Sequence, residues 1–126
     1  MEVDKKQAAK EYGKLAEELT SQEYLKRGYT IVERNWRLGK KEIDLVVRKD
    51  QIVVIVEVKA RKEGEEEAVE AVNSAKRKRM IQAADFYLKQ LPGWNEYRFD
   101  IAAFTGDKNR YKLEIIEYAF VAADLM

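Results

Sequence analysis

A small mixed α/β domain is the fold that the patterning of this chain predicts, ordered helix, three strands, helix, two strands. Three observations carry that expectation. Ala8, Tyr12, Leu15 and Leu19 recur at helical spacing between Lys5 and Arg27. Ile52–Val56 is an unbroken Val/Ile run, the signature of a strand covered on both faces. A second helical stretch, Glu65 to Leu91, stops at Pro92-Gly93. At 126 residues the chain is one domain's worth, so a single domain over 1–126 is expected.

Each element has a local reason. Gly28 is placed to cap the first helix, and Gly13, Glu17, Thr20 and Tyr24 make a second, smaller-residue face beside its apolar stripe. Tyr29 to Arg37 is β-branched and aromatic, a strand ending by Gly39. Glu42–Arg48 and Ile52–Lys59 read as two more strands, joined across Lys49-Asp50-Gln51. Arg98–Phe104 and Lys112–Glu117 flank the turn residues Thr105-Gly106-Asp107-Lys108-Asn109. A short helix is expected over the tail, Ala119–Met126. Arg98 and Asp100 share a strand face, which suits an internal ion pair. Trp36, Trp94 and Tyr97 are expected to pack structurally.

Composition narrows the chemistry. The chain has no Cys and no His, which excludes thiolate catalysis, disulfide scaffolds, Ser–His triads and imidazole metal sites. Catalysis would fall to carboxylates, Lys, Arg, Tyr or a hard cation held by oxygens, such as Mg2+ or Mn2+. Charged residues make up 37%, but 24 Lys+Arg against 23 Asp+Glu leave a formal charge of +1. A polyanionic partner must therefore be argued from clustering rather than net charge. No aliphatic run approaches the ~20 residues of a membrane span, and Met1–Lys6 lacks a signal core; a soluble, cytoplasmic chain with no membrane partner is expected.

The second hairpin holds the most informative spacing. If Asp50-Gln51 is a two-residue loop, Lys49 faces Ile52, Asp44 faces Glu57 and Glu42 faces Lys59. Glu57 and Lys59 then share a face, converging with Asp44 at one end of the hairpin. A three-residue loop would break that alignment. Paired carboxylates repel unless a cation lies between them, and a divalent metal beside a lysine suits phosphodiester hydrolysis. A solvated strand edge with a Glu42–Lys59 surface ion pair satisfies the same spacing.

Asp44, twelve residues, then Glu57-Val58-Lys59 resembles the PD-(D/E)xK nuclease signature. The whole chain resembles more closely the YraN-like family of small bacterial proteins, of restriction-endonuclease-like fold. The matching segments are Gly13-x-x-x-Glu17; Gly28-Tyr29; Asn35-Trp36-Arg37; Glu42-Ile43-Asp44-Leu45; Glu57-Val58-Lys59-x-Arg61; Lys76 and Ala84; Arg98-Phe99-Asp100; and Ala119-Phe120. One departure is Gly39-Lys40-Lys41, where the family usually carries a second glycine before Glu-Ile-Asp.

The resemblance implies a mixed sheet of about five strands flanked by helices. It also implies a nuclease-type site in which Asp44 and Glu57 hold Mg2+ or Mn2+, Lys59 handles the water, and Glu17 joins the metal site or supports it. DNA, with branched or damaged DNA suggested by the resolvase-like relatives, is the expected partner; those relatives pair two sites, so a homodimer is an expectation too. Lys76-Arg77-Lys78-Arg79 is the densest basic run, and Arg37, Lys40, Lys41, Arg61, Lys76, Arg77 and Arg79 are the expected phosphate contacts. Lys76 shares the apolar stripe of Val72, Met80, Ala83 and Tyr87, so it either snorkels or points at the site; the resemblance favours the site. The competing expectations are a nuclease fold that binds nucleic acid without cutting it, and a protein-docking role.

Overall fold

The computed structural model describes residues 5–62, 74–91 and 96–120. In chain order these form α1 (Lys5–Lys26), β1 (Thr30–Leu38), β2 (Lys41–Lys49), β3 (Ile52–Arg61), α2 (Ser74–Leu88), β4 (Glu96–Gly106) and β5 (Tyr111–Phe120). The five strands make one sheet in the order β1-β2-β3-β4-β5. Only β3 and β4 run parallel; the other neighbours are antiparallel. Parallel strands need a long crossover, and α2 lies in it.

Helix α1 ends as its glycine suggests. Gly28 adopts φ 91, its amide donates to the Leu25 carbonyl at 3.0 Å, and Tyr29 N–H donates to Tyr24 at 3.0 Å. That pair of bonds is a Schellman cap. The face α1 turns to the sheet is the smaller one: Ala16, Thr20, Ser21 and Tyr24 are buried, whereas Leu15 and Leu19 are only half-buried. Small residues let the helix axis approach the strands. The Thr20 and Ser21 hydroxyls donate back to the Ala16 and Glu17 carbonyls at 2.7 and 3.0 Å, so their burial leaves no unpaired polar atom.

Strand β3 is the centre. Val53, Val54, Ile55 and Val56 are all fully buried, with alternate residues feeding two cores. Val54 and Val56 pack with Tyr24 of α1; Val53 and Ile55 pack with Met80, Ala83 and Tyr87 of α2. The sheet is thus sandwiched between the helices. Trp36 packs against the α2 core, its ring edge-on to Tyr87 at 5.4 Å. The expected helix over Glu65–Leu91 is described from Ser74 and gives way to turns after Leu88; its first part, Pro92-Gly93 and Trp94 lie outside the described residues.

The tail differs from expectation. Ala119 and Phe120 continue β5 instead of opening a helix, and 121–126 lie outside the described residues. The cause is a buried carboxylate. The β4–β5 register shifts between Phe99 and Ile101, and at that irregularity Asp100 accepts the Tyr118 amide at 3.2 Å. Asp100 also accepts from the Tyr24 hydroxyl at 2.7 Å and from Arg98 Nε and Nη2 at 3.0 and 3.2 Å. Arg98 donates in turn to the Tyr29 hydroxyl at 2.7 Å. This expected ion pair ties α1, β4 and β5 together with every polar atom satisfied. Removing one partner of such a pair strands the other charge, at a cost of about 3–5 kcal/mol. Asp100→Ala should therefore lower unfolding free energy by about that amount in urea titrations; a loss below ~1 kcal/mol would show that the network does not anchor the fold.

Candidate active site

The strands of the second hairpin part where the expected residues lie. Its turn is the two-residue Asp50-Gln51 loop, with Asp50 at φ 54, and Lys49 pairs with Ile52. The ladder runs to Leu45↔Val56 and stops, although β2 extends back to Lys41 and β3 on to Arg61. Beyond that pair β2 stays with β1, through Leu38↔Lys41, and β3 stays with β4, through Arg61↔Thr105. The sheet forks. In the crotch the Asp44 carboxylate accepts the Val58 amide at 2.9 Å, supplying the acceptor that the broken ladder withholds.

Asp44 and Glu57 meet across this fork, as the register predicts. Glu57 is 6% exposed, and its Oε1 lies 2.6 Å from Lys76 Nζ, reached from α2. Lys76 therefore points at the site. Lys59 stands beside Lys76. Glu42 pairs with Arg37 at 3.6 Å rather than with Lys59.

The electrostatics follow from crowding like charges in a low dielectric. Burial, then the Glu57 charge, pushes the Asp44 carboxyl up to about 8, against the pull of the Val58 amide. Burial, then the neighbouring Lys76, pulls Lys59 down to about 8. Burial works to lower Lys76 as well, but the hydrogen bond and charge of Glu57 outweigh it and hold the ammonium above its usual range. Glu17 is raised by burial; the Asn35 amide opposes that shift, while Glu42 and Glu57 add to it.

Two cavities open onto this cluster, both lined by Asp44, Glu57 and Lys76. The one on the α1 side, about 690 Å³, also takes in Glu17, Lys59 and Arg61. The one on the α2 side, about 400 Å³, takes in Lys40, Lys41 and Arg79. Of the expected basic track, Arg37 is exposed in its pair with Glu42, beside the cavities. Arg77 lies over the Phe120 ring at 5.4 Å and is not among the residues lining these two cavities.

Among the described residues no group of three carboxylates is drawn together as a metal shell. Asp44 and Glu57 are the two that could hold an ion, with Glu17 a charged neighbour of both. Two carboxylates fit Mg2+, which commonly binds through one or two plus substrate phosphate and water. The mutual repulsion of the two is the chemical reason a cation suits the place, and the Lys76 ammonium answers part of it.

Sequence reasoning missed Asn35 as a site residue. It sits in β1 at φ 50, bracketed by the pairs Arg34↔Leu45 and Trp36↔Ile43, and its side chain bonds Glu17. Asn tolerates left-handed backbone better than other non-glycine residues, which is the one local signal for it.

Fork and cleft together define a mixed α/β protein whose sheet opens onto a half-buried cluster of opposed charges. The chain belongs to the UPF0102 family: residues 16–104 match its model, described as "Uncharacterised protein family UPF0102", and that span holds Glu17, Asp44, Glu57, Lys59 and Lys76. A UPF0102 protein of Phocaeicola vulgatus is 38% identical over 113 residues, 87% of this chain and 92% of its own length. One of Chloroherpeton thalassium is 40% identical over 101 residues, 79% and 78% of the two chains. One of Flavobacterium psychrophilum is 37% identical over 109 residues, 86% and 92%. No helix among the described residues is long and apolar enough to cross a membrane.

A raised carboxyl pKa has a definite sign in stability. The folded state holds the Asp44 proton more tightly than the unfolded chain, so the contribution is complete below pH ~4 and is lost as pH rises toward 8. Asp44→Asn, which keeps an acceptor for Val58, should gain stability over the native chain as pH goes from 5 to 9 in EDTA. The difference in Tm should widen by at least ~3 °C, or roughly 1 kcal/mol for a domain of this size. A constant or shrinking difference in calorimetry would mean that the Val58 bond to the charged carboxylate dominates.

Proposed function

We propose that this chain is a divalent-metal-dependent nuclease that hydrolyses phosphodiester bonds in DNA. One observation carries the reading: a buried carboxylate, a half-buried one and a lysine of lowered pKa converge at a fork in the sheet, open on both sides to basic cavities. The resemblance to PD-(D/E)xK nucleases supports it, because the same three positions match that signature.

Asp44 and Glu57 would hold Mg2+ or Mn2+, which supplies charge neutralisation at the phosphate and a water of lowered pKa. Lys59, drawn down to about 8, has a substantial neutral fraction near pH 7–8 and can take a proton from the attacking water. Water, giving its proton to Lys59, would add to phosphorus as the P–O bond to the leaving strand breaks, and the leaving oxygen would take a proton from solvent. Asp44 keeps its place through the Val58 amide, while Asn35 orients Glu17 behind it. Lys40, Lys41 and Arg79 would grip the continuing backbone without reading bases.

A nucleic-acid-binding module without cleavage is favoured by one feature, the 2.6 Å Lys76–Glu57 ion pair, which already neutralises the carboxylate a metal would need. Cleavage of end-labelled DNA in Mg2+, Mn2+ or EDTA separates the two readings. The nuclease should cut only with metal, and Glu57→Ala should lose at least ~100-fold in rate while binding DNA within about threefold of the native chain. Undiminished cutting by the variant, or none by the native protein, would sink this reading. Replacing Lys40, Lys41 and Arg79 together by alanine should flatten the slope of log K against log salt by ~2–3, about 0.9 for each phosphate no longer neutralised. Arg77→Ala should leave the slope unchanged.

A further inference from the structure

The cavity on the α1 side is lined by helix and strands. α1 contributes the small residues Ala9, Gly13 and Ala16, interspersed with Lys5, Tyr12 and Glu17; the strand side contributes Lys59 and Arg61 of β3 and Lys62 just beyond it, together with Asp44 and Glu57. Gly13 is the telling member. It lies inside α1 with no left-handed φ, and a Cβ built on it would meet nothing within 4 Å. Neither backbone conformation nor packing requires a glycine there, and glycine within a helix is unfavourable relative to alanine. What its missing side chain leaves is room, in the wall of the cavity that leads to the paired carboxylates.

We infer that this cavity receives an unpaired nucleotide adjoining the phosphate to be cut, so that the substrate is single-stranded or locally unpaired at the site. The inference rests on the proposed function and adds the class of substrate. A nucleotide joins a flat, apolar-faced base to an anionic phosphate, and the small apolar residues of α1 together with Lys59, Arg61 and Lys62 match both halves. At about 690 Å³ the space falls within the ~300–1,000 Å³ that houses ligands of such size. In a duplex the base faces are stacked away, and they become reachable only when the base is unpaired. The α2-side cavity, with Lys40, Lys41 and Arg79, lacks that small-residue wall and suits backbone continuing past the site. The strand thus enters over Gly13 and leaves along the lysines.

A Cβ at Gly13 meets nothing within 4 Å, so the Gly13→Ala and Gly13→Leu chains should fold with an unchanged or higher Tm, checked by circular dichroism. Fluorescence anisotropy in EDTA would compare three probes: a single strand, a strand with the same phosphates but abasic sugars, and a blunt duplex. The native chain should favour the single strand over the abasic strand by about tenfold, in keeping with the stacking strength of one or two bases. Gly13→Leu should erase that preference and leave abasic and duplex affinities as they were, with Gly13→Ala between. Equal binding of single and abasic strands by the native chain, or full preference in Gly13→Leu, would overturn the inference. Cleavage of the same probes with Mn2+ keeps the two readings apart. Base-dependent binding without cutting retains the nucleotide pocket and removes the nuclease, whereas equal cutting of every probe by native chain and Gly13→Leu does the reverse. Failure of the native chain to bind any probe removes both.

Discussion

The hydrogen bond from the Val58 amide to Asp44 decides where the sheet divides, and the cleft depends on that division. Adjacent antiparallel strands normally keep their ladder to the end, because unpaired buried amides are costly. Here a side chain takes over one ladder bond, so β2 can leave β3 without stranding a donor. The release is coupled to charge: the acceptor that permits the fork is also one of the two carboxylates inside it. Moving β2 back against β3 would bury Asp44 without a place for a cation or for water. The strand geometry and the electrostatics of the cleft are therefore one constraint.

Two buried charge centres share the molecule and are built on opposite terms. Around Asp100, one arginine, two tyrosine hydroxyls and a backbone amide complete a closed network. Its charges compensate within the protein, and the Tyr24 hydroxyl is held protonated well beyond its usual range, first by burial and then by Asp100. Around Asp44, two carboxylates and two ammonium groups also balance in number, but like charges are set beside one another, and both Asp44 and Lys59 are shifted toward neutrality. The first arrangement stabilises the fold. The second costs stability and leaves groups able to exchange protons near neutral pH, at the mouth of two cavities.

Much of this was legible in the sequence because a few residues determine geometry unambiguously. The short Asp50-Gln51 connection sets strand register, and register places Asp44 against Glu57. The Val/Ile run sets β3 at the centre, and Gly28 sets the helix end. Features that depend on irregular backbone were not legible. The bulge after Ile31, the left-handed Asn35 and the shifted β4–β5 register leave no periodic signal in the sequence. Helix faces misled for a related reason. Hydrophobicity favoured Leu15 and Leu19, but α1 lies close to the strands and buries Ala16, Thr20 and Ser21, so size outranked polarity. Arg77 illustrates the limit of reading charge runs: four consecutive basic residues on a helix cannot share a face, and one of them lies over an aromatic ring.

Four departures from local consistency gather at the cleft. Gly13 in mid-helix, Asn35 at positive φ in a strand, the interrupted β2–β3 ladder and the facing carboxylates are four separate violations of what sequence and backbone would otherwise prefer. Each is individually tolerable at a cost of order 1 kcal/mol or more. Gly13 and the carboxylates line one cavity, the ladder breaks at its inner end, and Asn35 bonds Glu17 on its wall. Elsewhere Asp50 and Tyr118 also take positive φ, but one sits in a tight turn and the other opposite the Asp100 bulge, each with its own structural cause. Departures that cost stability thus gather at the cleft that the proposed function uses.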